Sequence, residues 1–311
     1  MKQKDCLTKP FVVTFIAIFC CALWGSATPF IKIGYQLMLP VSDTASTILF
    51  AGIRFFIAGA IVVMFYSIVQ GKLLFPKRRN FGKITLISMF QTVIQYIFFY
   101  IGVANTTGVK ATIISGAGTF SAILVACLFF RQERLTLKKL LACIIGFTGI
   151  LLIHIDGLQW NINFLGDGFV FIATVAYGIS SSLMKRYSHV EDPVVISGYQ
   201  FMIGGIIMML PGFLLGGKVV VASWQAVLVL GYLALLSAVA YSLWGILLKH
   251  NPISRVAVFS FMIPVFGVVL SRWLLSEQSR VSPMMLIISL LLICCGIFIQ
   301  NDFKKRSINQ E

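Results

Sequence analysis

Long apolar runs fill this chain, and none alternates with the period of two that marks a half-buried strand. With Asp, Glu, Lys and Arg taken as interruptions, the runs are Pro10–Ile31, Phe55–Gly71, Ile84–Val109, Ala111–Phe130, Leu140–Ile155, Gly168–Met184, Pro193–Gly217, Val219–Leu248, Val256–Ser271 and Val281–Asn301. A helix crosses roughly 30 Å of hydrocarbon with about 20 predominantly apolar residues, so the pattern predicts ten membrane spans. The second is expected to begin near Thr47, which puts Arg54 inside it. The shorter runs are completed by flanking residues that can snorkel. The runs are too long for strands of a transmembrane barrel and lack its dyad pattern. Pro29, Pro211 and Pro264 fall inside spans and are the expected bends, which membrane helices tolerate when neighbours satisfy the freed backbone groups.

Composition agrees. Of 311 residues, 59% are apolar and 11% charged, with a mean hydropathy of +0.94, against about 45–50% and about 25% in soluble domains. A soluble enzyme, a nucleic-acid binder, a disordered scaffold and a secreted disulfide module are all excluded. The net charge of +15 is explained by where the bases fall. With a cytoplasmic amino terminus, the inside segments hold 19 of the 25 Lys and Arg, and the outside ones hold Lys32, Lys110, Lys218, Arg272 and Arg280. That is the positive-inside bias, and it also suits anionic headgroups. The first span is too long for a signal-peptide core and leads straight into further spans, so it reads as a retained helix. Six of the seven cysteines, all but Cys6, fall in spans without metal-ligand spacing, so they read as packing residues.

The chain also repeats itself. Ala22-Leu23-Trp24-Gly25-Ser26 reads against Val175-Ala176-Tyr177-Gly178-Ile179, and the same offset of 153 sets Lys32 on Lys185. Arg54-Phe55-Phe56-Ile57-Ala58-Gly59 reads against Gln200-Phe201-Met202-Ile203-Gly204-Gly205, Tyr96 against Tyr241, and Arg131-Gln132-Glu133 against Leu275-Ser276-Glu277. Each half has five spans, and five is odd, so the second half is expected upside down relative to the first. The expected fold is therefore an all-α integral membrane protein of ten transmembrane helices, an inverted-topology 5+5 repeat with both termini cytoplasmic. Its repeats would cover 11–155 and 165–301, with tails 1–10 and 302–311. Inverted repeats build many secondary transporters, whose substrate site lies at the repeat interface near the midplane.

At these residues the chain resembles the drug/metabolite transporter superfamily, specifically proteins with two EamA-type domains of five helices. The resemblance spans about Val12 to Phe298. It rests on Trp24-Gly25 and Tyr177-Gly178, on Arg54-Phe55, on Pro264 thirteen residues before Glu277, and on the glycine-bearing fifth helices with Gly146, Gly149 and Gly296. One departure stands out: Phe120 occupies the fourth-helix position where the family usually has proline, with Gly116 and Gly118 close by.

Arg54 is the one basic residue well inside a span, a default functional hypothesis at about 2.5–3.5 kcal/mol on insertion scales. It also lies roughly 10 Å from the outer helix end, seven residues at about 1.5 Å each, within reach of snorkelling or of tying helices together. Because the resembling family carries an Arg here whatever the cargo, the structural role is preferred over gating. The cavity-lining candidates are Gln91 and Gln95 on one face of span three, with Tyr96 and Tyr100 beside them, Tyr241 and Trp244 on span eight, and Trp24, Thr28, Tyr177 and Ser181 on spans one and six. Each has a plainer alternative: helix-to-helix bonding for the glutamines, core packing for the aromatics, bonding back onto the backbone for the hydroxyls. Glu133 and Glu277 are expected to stay solvated or to pair with Arg134 and Arg280.

All ten acidic residues fall in tails, loops or helix ends. A proton-coupled exporter of organic cations needs a carboxylate in its path, so this distribution favours neutral, zwitterionic or anionic cargo. The resemblance implies amino acids and related metabolites, with export the expected direction. No metal or cofactor site is expected. The expected partners are a small-molecule substrate and the lipid bilayer of the cell membrane, with no nucleic acid, and oligomeric state left open between monomer and homodimer. A membrane-embedded lipid-handling protein or enzyme is the alternative.

Overall fold

The computed structural model describes residues 6–41, 43–155, 162–275 and 282–301. It is helical, with no strand among those residues. Ten helices are long and apolar enough to span a membrane: α1 (Pro10–Met38), α2 (Thr44–Gln70), α3 (Arg78–Ala104), α4 (Gly108–Phe129), α5 (Leu137–His154), α6 (Phe164–Tyr187), α7 (Pro193–Leu214), α8 (Trp224–His250), α9 (Ile253–Ser271) and α10 (Met284–Asn301). Large apolar side chains such as Phe15, Phe65, Ile68, Phe213 and Leu291 lie exposed on the outside, where lipid takes the place of water. This is a multi-pass membrane protein. Glu277, Arg280, the start of the last apolar run at Val281, and residues 1–5 and 302–311 of the tails lie outside the described residues.

Short polar residues start the helices by accepting the backbone N–H groups that a first turn leaves orphaned. Asp43 accepts from Ser46 N at 2.6 Å, and Thr107, Thr136, Asp192 and Ser223 do the same for α4, α5, α7 and α8. Gly71 ends α2 in the left-handed region at φ 62°, a conformation that an absent Cβ makes easy.

Several helices are irregular. Two wide π-type turns, Met89–Ile94 in α3 and Val125–Phe129 in α4, and a third at Phe164–Gly168 opening α6, break the helical period. α4 is interrupted at Ala117, between Gly116 and Gly118. The expected proline is absent there, yet the break persists, because two glycines weaken the ladder where Phe120 does not. The spacing that sets Glu133 on Glu277 maps Ala117 onto Phe261, the end of a tight 3-10 turn, Val258–Phe261, in α9. Phe120 itself packs edge-on against Phe147 of α5 at 5.6 Å.

Every helix has its main neighbour in the other half of the chain. α2 packs along α7 and α5 along α10; α1 packs on α8 and α9, and α6 on α3 and α4. The pattern is unchanged if the halves are exchanged. Glycines allow the closest of these contacts: a Cβ at Gly205 would lie 2.7 Å from Gly52 O, and one at Gly59 would lie 2.5 Å from Gly198 O. α2 and α7 therefore touch backbone to backbone. Gly25 and Gly178, equivalent in the repeat, do equivalent work, setting α1 against α9 at Ile263 and Gly267, and α6 against α4 at Ser121.

Candidate functional site

Where α1, α2, α3, α7 and α8 converge, their aromatic side chains form a continuous column. Phe55 and Phe201, equivalent positions of the repeat, stack face to face across the α2–α7 seam, with ring centres 5.1 Å apart and planes 8° from parallel. Phe55 touches Tyr96 at 4.5 Å and Phe201 touches Tyr241 at 4.8 Å. The Tyr96 and Tyr241 hydroxyls, again equivalent positions, share a 2.7 Å hydrogen bond. Trp24 then carries the contact onward, 5.1 Å from Tyr241 and 4.9 Å from Trp244, both edge-on. Edge-to-face pairs like these contribute about 0.5–1.5 kcal/mol each beyond simple burial.

Arg54 stands at one end of the column. Its side chain is 3% exposed, and the guanidinium carbon lies 4.4 Å over the Phe55 ring and 5.9 Å from the Tyr96 centroid. Tyr35, Tyr96, Tyr100 and Tyr241 are the titratable groups that act on it electrostatically. Among the described residues no carboxylate pairs with it, and Arg54 Nε has no hydrogen-bond partner. A desolvated cation–π contact contributes about 2 kcal/mol, so the ring contacts offset part of the insertion cost of the charge and leave the rest uncompensated.

Trp24 Nε1, also on the column, is buried without a partner. Tyr177 is within hydrogen-bonding reach of Ser260, Ser181 and Trp244 and so extends the column into α6 and α9. Ser181 is buried. Thr28 is exposed, with Gly267 of α9 its neighbour across the contact. On α3 it is Tyr96 and Tyr100, 5.9 Å apart, that join the cluster. Gln91 is buried, and the buried Gln95 Oε1 lacks a partner. Gln91 lies inside the wide turn Met89–Ile94 and Gln95 directly after it, so a regular four-residue spacing does not describe their relation; such turns recur at functional sites.

Four residues of the cluster were not among the sequence candidates: Tyr35, Phe55, Phe201 and Gln200. Gln200 is fully buried, its Oε1 accepts from Thr92 Oγ1 at 2.7 Å, and its Nε2 has no partner. The repeat carried the signal, since it aligns Gln200-Phe201 with Arg54-Phe55.

Polar networks tie the two halves together at both ends of the bundle. At one end Asp167 accepts from Thr106 Oγ1, Lys110 Nζ and Asn163 N, and Asn163 Nδ2 donates to Asn105 O. Lys110 is thus buried in the first turn of α4. At the other end Glu133 accepts from Lys139 Nζ at 2.8 Å and from Ser254 N and Oγ. The Glu133 side chain is 8% exposed, and its cation is Lys139, where the sequence suggested Arg134. Glu191 accepts from Lys77 N and Asn80 Nδ2 on the same side.

Both halves match one family model, that of the EamA-like transporter family, over residues 12–155 and 164–301. The chain belongs to the EamA-like transporter family. Relatives within reach of sequence comparison fit this assignment. An uncharacterized transporter of Archaeoglobus fulgidus is 27% identical over 259 residues, 82% of this chain and 87% of its own. A probable amino-acid metabolite efflux pump of Escherichia coli is 25% identical over 276 residues, 85% of this chain and 87% of its own. A solved crystal structure that is 16% identical matches with a TM-score of 0.75, over 96% of this chain and 100% of its own, a likeness of fold. EamA-like membership makes this protein a transporter.

Proposed function

We propose that the protein is a secondary transporter that exports an amino acid or a related zwitterionic or anionic metabolite across the cell membrane by alternating access, leaving its cargo chemically unchanged. The halves 11–155 and 165–301 act as inverted repeats, with both termini cytoplasmic. The observation that carries this reading is the aromatic column from Arg54 to Tyr177. It is built from equivalent residues of both halves and holds buried polar atoms without partners. Such a seam is where a repeat-built carrier places its cargo. The exchange-symmetric helix pairing supports a twofold relation between the halves, and the distribution of basic residues supports the orientation. The efflux pump of Escherichia coli supports the cargo class.

The test is flux from proteoliposomes loaded with each of the twenty amino acids, with and without pH and Na⁺ gradients. Saturable release of one or a few of them is expected, weakened by Tyr241→Ala or Gln95→Ala at unchanged expression. Release of quaternary ammonium compounds alone would overturn the cargo class. Reporters showing the two termini on opposite membrane faces would overturn the topology.

A further inference from the structure

Arg54 poses a problem that the protein solves only in part with its own groups. A buried charge is normally paired, and intramembrane charges pair with one another or with backbone carbonyls. Arg54 is surrounded instead by phenols and rings, with a hydrogen bond to Tyr96 and with Nε unpartnered. The phenol of Tyr96 accepts from Arg54, and Tyr35 with Tyr100, like Tyr96 with Tyr241, are bonded in pairs. Each pair needs only one of its two protons internally, so donors remain around the positive charge. The Tyr96–Tyr241 bond sharpens this point: one of the two hydroxyls must donate to the other, which leaves the acceptor's own proton free to donate elsewhere. The complementary guest is a planar anion that can take a bidentate fork from guanidinium.

We infer that Arg54, with the phenols of Tyr96 and Tyr241 beside it, is the carboxylate-recognising subsite of the cargo path, and that the adjoining Phe55, Phe201 and Trp24 receive the apolar body of the same molecule. The inference deepens the transport reading by naming which part of the cargo is recognised and by which residue. It makes Arg54 a specificity-determining residue. An amine on the cargo is then tolerated by the neighbouring rings without being required.

Leucine, leucinamide and 4-methylpentanoate separate these features, because leucinamide lacks the carboxylate and 4-methylpentanoate lacks the amine. Purified protein in lipid nanodiscs is titrated with each compound, and the shift in thermal unfolding midpoint is read. Leucine and 4-methylpentanoate are expected to give saturable upward shifts, with leucinamide binding about tenfold or more weakly, the loss of one charge-assisted pair. R54Q removes this carboxylate preference, and R54K, which keeps the charge without the fork, keeps part of it. Leucinamide binding as tightly as leucine, no carboxylate-dependent shift in the wild type, or an R54Q protein that still prefers the acids would each overturn the subsite. The wild-type comparison stands even if the variants do not fold. Failure of the amino-acid flux assay with the carboxylate preference intact would sink the export reading and leave the subsite; flux without any carboxylate preference would do the reverse.

Discussion

Tyr96 and Tyr241 occupy equivalent places in the two halves and are joined hydroxyl to hydroxyl at 2.7 Å, so each single Phe substitution should remove the same bond. The expected outcome is non-additivity. Y96F and Y241F should each destabilise the protein by about 0.5–1.5 kcal/mol, and the double variant by little more than either alone. Denaturation in detergent measures this; simple summing of the two effects would refute the coupling. Glu133 offers a second test. Burial alone would raise its carboxyl, but hydrogen bonds from Lys139 and Ser254, with the Lys139 charge, hold it below the ordinary carboxylate range. A depressed folded value means that the stabilisation is complete above the unfolded value, about 4.3, and is lost as pH falls through the folded one. E133Q should therefore lower the melting temperature at neutral pH, with the gap to wild type closing below about pH 4. A gap independent of pH would contradict the assignment.

Between elements, the closest approaches are made at glycine. At Gly205 a Cβ would meet Gly52 O at 2.7 Å and Phe56 N at 2.6 Å. Those are backbone atoms that no rotamer change can move, so Gly205→Leu should push α7 off α2 and lower stability by about 1–3 kcal/mol or more, seen as a lower melting temperature or lost expression. At exposed Gly231, where nothing lies within 4 Å of a Cβ, the same substitution should be neutral. The ten helices were legible in the sequence because charge interrupts hydrophobicity at every membrane boundary, and Thr44 begins α2 three residues from where the pattern set it. The local irregularities were not. A wide turn such as Met89–Ile94 depends on which side chains from other helices fill the gap, here Thr92 bonding to Gln200, and no local composition encodes that. The tyrosines and tryptophans of the candidate site were readable as amphipathic residues in mid-span. That Arg54 lies over Phe55 among four phenols, with no carboxylate, was not, because it requires knowing which helices converge.

For the molecule as a whole, the ends matter as much as the middle. Asp167, Thr106 and Lys110 join the halves at one end, and Glu133 with Ser254 joins them at the other. In the alternating-access cycle proposed above, one set of ties opens while the other holds. A disulfide at T106C/D167C, in a background without the native cysteines, should stop flux and release it on reduction; flux unaffected by oxidation would mean that this end does not open. The pairing of helices carries a further consequence. Since α1 through α10 each lean chiefly on a helix from the opposite half, neither half encloses an interior of its own. The two are interleaved, not docked. A substitution in one half is felt by the other, so the duplicated segments cannot diverge as free domains do; the asymmetry of Arg54 against Gln200 is a difference that both halves had to accommodate together.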